Sequence, residues 1–151
     1  MSTNPISFLL PASQGRVLRA FGEEVTILLD AAQTGGQFTL VTTVTPPGGG
    51  PPVHYHENED ETLYVLEGRV SFLTNDQWTE AGPGTTLFAP RKSVHTFKNI
   101  GGQPSKLLVQ ITPSGFENFF AAEAAEFAKP GGPDMHRAMQ IAAEHGVKFV
   151  M

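Results

Sequence analysis

The sequence predicts an all-β sandwich or barrel, and three observations carry that expectation. Between residues 16 and 112 the chain reads as short β-rich runs separated by turn signals. Sixteen Gly and twelve Pro in 151 residues punctuate it too densely for a few long helices. No helical period lies between the β-rich runs, which argues against βαβ units.

The expected strands cover 16–21, 25–30, 37–45, 61–67, 69–73, 85–88, 95–99 and 106–112. Turn signals separate them at Gly22-Glu23, Thr34-Gly35-Gly36, Thr74-Asn75-Asp76, Ala81-Gly82-Pro83-Gly84 and Gly101-Gly102-Gln103-Pro104. Pro46-Pro47-Gly48-Gly49-Gly50-Pro51-Pro52 reads as a stiff loop that delivers His54 into the barrel. After Thr112 the pattern turns helical. Ser114 with Glu117 three residues on resembles a capping box. Phe116, Phe119, Phe120, Ala124 and Phe127 then recur at helical spacing, until Lys129-Pro130-Gly131-Gly132 ends the run. This aromatic stripe is expected to pack the helix on the barrel, with a lid over the barrel mouth as the functional alternative. A second helix is expected from Pro133-Asp134 to Gly146, a suitable C-terminal glycine, and 147–151 reads as a short apolar tail. The whole of 1–151 thus reads as one domain, with a barrel core at 16–112 and a helical extension at 113–151.

Composition excludes several classes. The formal net charge is -5 and no Lys/Arg cluster is present, so nucleic acid and anionic membrane are set aside as partners. With 40% hydrophobic and 17% charged residues, the signature of disorder is absent. The lack of cysteine excludes disulfides, thiolate ligands and a Cys nucleophile. The apolar run Ile6-Ser7-Phe8-Leu9-Leu10 stops at Pro11, too short for a secretory segment, and no run approaches a membrane span. A cytoplasmic protein is the expectation.

The informative stretch is His54-Tyr55-His56-Glu57-Asn58-Glu59-Asp60-Glu61. In an extended strand His54 and His56 point the same way. The next strand alternates Glu61, Leu63 and Val65 on one face against Thr62, Tyr64 and Leu66 on the other. A carboxylate among apolar neighbours is expensive to bury unless a positive charge compensates it, and a divalent cation would supply one. In His95-Thr96-Phe97-Lys98-Asn99, Lys98 must reach water, so His95 points inward with Phe97. His54, His56, Glu61 and His95 are therefore the candidate metal ligands, with Glu59 or Asp60 as alternatives to Glu61. Such a set suits Fe, Mn, Ni, Co or Cu; zinc is compatible but prefers four-coordination. Glu57 and Glu67 are expected to be solvated, and His136 and His145 to be structural.

These residues resemble the two cupin motifs. Gly48, five residues, His54-x-His56, four residues, Glu61, six residues and Gly68 match the first. Gly84, five residues, Pro90, then His95, three residues and Asn99 match the second. Lys92 departs from it, standing where the motif usually has glycine. The resemblance implies a jelly-roll barrel, often a homodimer, with the metal inside; a contact through the N-terminal edge strand is the first expectation. The run 62–68 and the Phe-rich helix look like bacterial single-cupin proteins related to quercetin 2,3-dioxygenase.

The leading functional expectation is a metal-dependent dioxygenase acting on a small aromatic or enol-containing molecule, with O2 as co-substrate. Glu61 would serve as ligand or as the base that ionises a substrate hydroxyl. Leu63, Val65, Phe72, Phe88 and Phe97 are the expected pocket residues. A metal-dependent isomerase, lyase or decarboxylase is the alternative, as is a non-catalytic binding protein. Sugar-phosphate chemistry would call for Arg91 and Lys92 near the metal, although both suit a solvated turn equally well.

Overall fold

Residues 4–150 are described by the computed structural model, and two antiparallel sheets dominate them. The strands are β1 (Arg16–Ala20), β2 (Glu23–Leu29), β3 (Thr39–Thr45), β4 (His54–His56), β5 (Asp60–Glu67) and β6 (Val70–Thr74). They continue as β7 (Gln77–Ala81), β8 (Thr86–Ala89), β9 (His95–Asn99), β10 (Ser105–Thr112) and β11 (Val147–Phe149). One sheet has the order β1-β2-β3-β10-β5-β8 and the other β11-β4-β9-β6-β7. Packed face to face, they make the expected jelly roll, with helices at its C-terminal end.

Alternation explains the sandwich. Thr39, Val41, Thr43 and Thr45 of β3 are buried while the residues between them are half-buried, and Ser105, Leu107, Val109 and Ile111 of β10 repeat the pattern. These inner faces meet Val70, Phe72 and Phe97 of the second sheet in one core. Asn75 and Asp76 both have positive φ, 50° and 62°, and close the two-residue β6–β7 hairpin. The turn was expected but β7 was not. Gln77, Trp78, Thr79 and Glu80 are all exposed, so this edge strand carries no apolar alternation. β11 lies in the tail expected to be merely apolar; Met151 of that tail lies outside the described residues.

The helices depart from expectation at one end. A short α1 (Ala31–Thr34) begins directly after β2, because the Asp30 side chain accepts from the Gln33 N–H at 3.1 Å. In α2 (Glu117–Phe127) the cap is Phe116, without a side-chain cap bond, and the expected Ser114–Glu117 box does not form. Glu117 is buried and instead accepts from Ala31 N–H and Gly115 N–H, each at 2.8 Å, and from the Thr39 hydroxyl. Burial opposes its charge, yet these bonds hold it below the usual carboxylate range. It fastens α2 to β3 and α1. For α3 (Met135–Glu144) the expectations hold: Asp134 caps its start, and Gly146 follows it at φ +75°. Among the described residues no helix is long and apolar enough to cross a membrane.

One buried side chain ties the loops at the foot of the barrel together. Asn99 Nδ2 donates to the Thr45 carbonyl at 2.9 Å and to the Gln103 carbonyl at 2.8 Å, while Oδ1 accepts from Gly101 N–H at 2.9 Å. Replacing Asn99 by Ala orphans these buried groups, and the loss expected is about 2–4 kcal/mol. Urea denaturation of the variant beside wild type measures it; a change below about 0.5 kcal/mol would contradict this role.

Candidate metal centre

The quartet is built from both sheets. His54 and His56 share the inner face of β4, and His95 on β9 is the register partner of His54. Glu61 enters from the opposite sheet, near the start of β5, opposite Ala89 and Ile111. One ligand atom from each of the four residues lies within 4.8 Å of all the others, and all four are buried. Glu61 Oε2 stands 2.8 Å from His95 Nε2 and 3.1 Å from His56 Nε2.

Backbone carbonyls orient two of the rings. His54 Nδ1 donates to the Pro52 carbonyl at 2.7 Å and His95 Nδ1 to the Ser93 carbonyl at 2.9 Å. That places the Nε2 lone pairs toward the centre, as metal-binding imidazoles require. Neither ring nitrogen of His56 makes a well-aligned hydrogen bond: Glu61 stands 3.1 Å from its Nε2 and Glu59 3.6 Å from its Nδ1. His95 faces an acceptor at each nitrogen, whereas a neutral imidazole has only one N–H to give. A cation between the imidazoles and Glu61 would satisfy the poorly aligned Nε2 of His56 and the doubly accepted His95 together. The donor set fits a divalent transition metal.

The electrostatics are those of three imidazoles around one buried carboxylate. Burial pulls His54 down to about 4, so it is neutral at physiological pH. Burial also works against charge on His56, but the Glu61 carboxylate outweighs it, with Glu59 adding, and pushes this imidazole up to about 9. Burial would raise Glu61, yet His56 and His95 hold it well below the usual carboxylate range. The proposed alternatives to Glu61 are used elsewhere. Asp60 pairs with Arg91, accepting from its backbone N–H at 2.8 Å, and Glu59 backs His56 from outside the quartet. Lys92 takes φ +70° and donates its backbone N–H to the His56 carbonyl at 2.7 Å. The turn that usually uses glycine is thus kept, at a strain of about 1 kcal/mol.

The profile of the cupin domain matches residues 41–111, the span that carries the quartet. The barrel has the cupin jelly-roll fold. Quercetin 2,3-dioxygenase of Bacillus subtilis (strain 168) is 30% identical over 115 residues, which cover 76% of this chain and 34% of that enzyme. The chain spans between 41% and 62% of the length of the other curated relatives it matches. Among solved structures, the polyketide cyclase RemF from Streptomyces resistomycificus is 26% identical with a TM-score of 0.62, over 72% of this chain and 81% of that one. A predicted oxalate decarboxylase from Thermotoga maritima shares the fold at 24% identity and a TM-score of 0.63, covering 70% and 99% of the two chains.

The cupin quartet faces a cavity of about 90 Å³. Leu63 and Phe97 line it as expected, but Val65, Phe72 and Phe88 do not. Phe88 is 60% exposed: it pairs with Thr62, and only its neighbours Leu87 and Ala89 share register with the inward Leu63 and Glu61. Val65 and Phe72 belong to the core away from the cavity. Their places in the wall go to Phe21, Phe116, Phe119, Phe120 and Phe149. The aromatic stripe of α2 therefore both packs on the barrel and closes part of this cavity. Phe21 is presented at φ +53° by the β1–β2 hairpin, and it packs on Phe127 with ring centroids 4.7 Å apart. Of the remaining histidines, His136 is exposed and His145 caps α3, donating to the Ile141 carbonyl at 2.8 Å.

Two further carboxyl groups, Glu23 and Glu123, line the same cavity and were not anticipated. Burial raises Glu123 to about 7, with the charge of Glu126 adding and Arg137 opposing. The folded protein thus holds this proton more tightly than the unfolded chain, whose ordinary value is 4.5. The associated stability is complete below pH 4.5 and is lost as pH rises through about 7. Glu123→Gln removes that titration, so its melting temperature should gain on wild type between about pH 5 and pH 8. Parallel melting curves across this range would contradict the assignment.

Proposed function

We propose that the protein is a metal-dependent dioxygenase of small aromatic or enol-containing molecules, flavonols among them. The observation that carries the reading is the buried quartet of three imidazoles and one carboxylate opening on an apolar cavity. A divalent transition metal held by His54, His56, Glu61 and His95 would polarise a substrate oxygen and make its hydroxyl more acidic. The chain supplies the rest. His54 and His95 act as neutral donors because their Nδ1 protons are spent on backbone carbonyls. When detached from the metal, Glu61 would take the hydroxyl proton, leaving an enolate and a carboxylic acid. Phe116 packs edge-on to His56 and Phe149 to His54, keeping water from the ionised substrate.

The likeness to the Bacillus dioxygenase supports O2 as co-substrate, although it covers only 34% of that enzyme. Among the described residues no Arg or Lys lines the cavity, and Arg91 is engaged with Asp60. Sugar-phosphate chemistry is disfavoured accordingly. A second reading rests on RemF, of which the chain covers 81%: the same enolisation followed by lyase, isomerase or cyclase chemistry without O2. A cytoplasmic homodimer remains part of the proposal, with the edge strand β1 and its exposed Val17 as the contact.

Metal analysis of reconstituted wild type should find about one divalent ion per chain, with affinity reduced more than about 100-fold in His54→Ala and Glu61→Gln. Wild type that takes up no metal would defeat the reading at its base. With flavonols and catechols, an oxygen electrode should then record O2 uptake that tracks substrate loss. Turnover without uptake would favour the second reading, and binding without turnover a non-catalytic protein.

A further inference from the structure

Glu123 stands one helical turn beyond Phe119 and Phe120 on α2, and it is fully buried at 0% exposure. Neither of its carboxylate oxygens has a hydrogen-bond partner. The charged groups nearby are committed elsewhere. Glu126 receives Lys129 Nζ at 2.6 Å and the Asp134 N–H at 3.0 Å, and Arg137 donates to Glu144 at 2.8 Å.

The same cavity wall holds two more polar groups. The Thr43 hydroxyl oxygen on β3 is buried and equally without a partner. Glu23 on β2 spends Oε1 on the Thr45 hydroxyl at 2.7 Å. Thr43 pairs with Val25 in the β2–β3 register, so Glu23 and Thr43 share the inner face of adjacent strands. The wall around them is largely aliphatic and aromatic.

We propose that Glu123, together with Thr43 and Glu23, forms a second polar subsite in this cavity that hydrogen-bonds a hydroxyl group of a phenolic guest. The inference deepens the reading above and rests on the cavity receiving substrate. A buried polar group without a partner is costly, and a hydroxyl entering with the guest would satisfy it. The choice of a hydroxyl follows from the wall. Glu23 and Glu123 are both raised to about 7, chiefly by burial, so at neutral pH each carries its proton part of the time. A carboxylic acid and a threonine hydroxyl both donate and accept, which a phenol complements and an anion does not. Specificity of this kind discriminates strongly against the isostere that lacks the hydroxyl, because the site is then left unpaired.

Calorimetric titration with phenol, fluorobenzene and benzylamine tests the subsite in wild type, Glu123→Gln and Glu123→Met, each confirmed folded by thermal melting. Wild type should prefer phenol to fluorobenzene by about tenfold. Glu123→Gln keeps a donor and an acceptor and should retain the preference to within about threefold, whereas Glu123→Met should erase it. A preference that survives in Glu123→Met overturns the proposal, because the carboxyl then has only a packing or hydration role. Equal affinity of wild type for phenol and fluorobenzene overturns it too. Tighter binding of benzylamine than phenol would make the site a cation subsite and would also overturn it. The titrations are run on metal-free protein, with metal uptake measured separately. Failure of the metal reading is thereby distinguishable from failure of the subsite.

Discussion

Glu61 is a carboxylate held where water hardly reaches it, 7% exposed, and the barrel is organised around keeping it charged. Its desolvation opposes ionisation, and removing a buried ion's partner typically costs several kcal/mol. The compensation comes from across the sandwich. His56 and His95 belong to one sheet and Glu61 to the other, so the contacts that hold the charge also pin the sheets together. This fixes register. A one-residue slip of β4 or β5 would turn its ligands outward and strand the remaining charge.

That demand propagates into the loops. The rings of His54 and His95 are aimed by carbonyls only two residues upstream, at Pro52 and Ser93, so their orientation depends on the chain just before each strand. Gly50 makes the first approach close: it runs so near the Phe97 carbonyl that any side chain would collide with its oxygen. Asn99 N–H and the Gly49 carbonyl, 2.9 Å apart, clamp the same loop onto the end of β9. Lys92 makes the second turn, accepting a left-handed backbone for the bond to His56. The C-terminal strand then covers the other edge of β4, pairing Val147 with His56 and Phe149 with His54. The chain thus buries its ligand strand between β9 and its own tail.

How much of this was legible in the sequence depended on whether a residue announces its direction locally. His54, His56, Glu61 and His95 do, because strand alternation and the need of Lys98 for water give each a side before any fold is known. The structure brings these four together, and the motif spacing independently gave the jelly roll. Phe88 shows the limit: it is apolar and on a strand, but the parity of β8 is set by pairing with β5, which no local signal reports. β11 was illegible for a related reason, since three apolar residues become a strand only when β4 offers an edge. Glu117 reads as a capping-box residue, and Glu123 carries no local signal of burial beyond its place inside the aromatic stripe. Their burial follows from how α2 docks.

The two polar features of the cavity constrain each other. An anionic carboxylate at Glu61 and partly protonated acids at Glu23 and Glu123 share one small, mostly apolar space, and the charge of Glu61 is itself among the causes that raise Glu23. Anything that neutralises the quartet, a cation above all, would therefore relax Glu23 toward its ordinary value and change its ability to donate. An anionic guest meets no Arg or Lys among the described lining residues, while a fully apolar one leaves Thr43 and Glu123 unpaired. A neutral molecule with a hydroxyl to ionise and another to anchor suits both constraints. The aromatic wall from α2 and the β1–β2 hairpin would then meet the flat face of such a guest, making the C-terminal helix part of the recognition surface as well as of the packing.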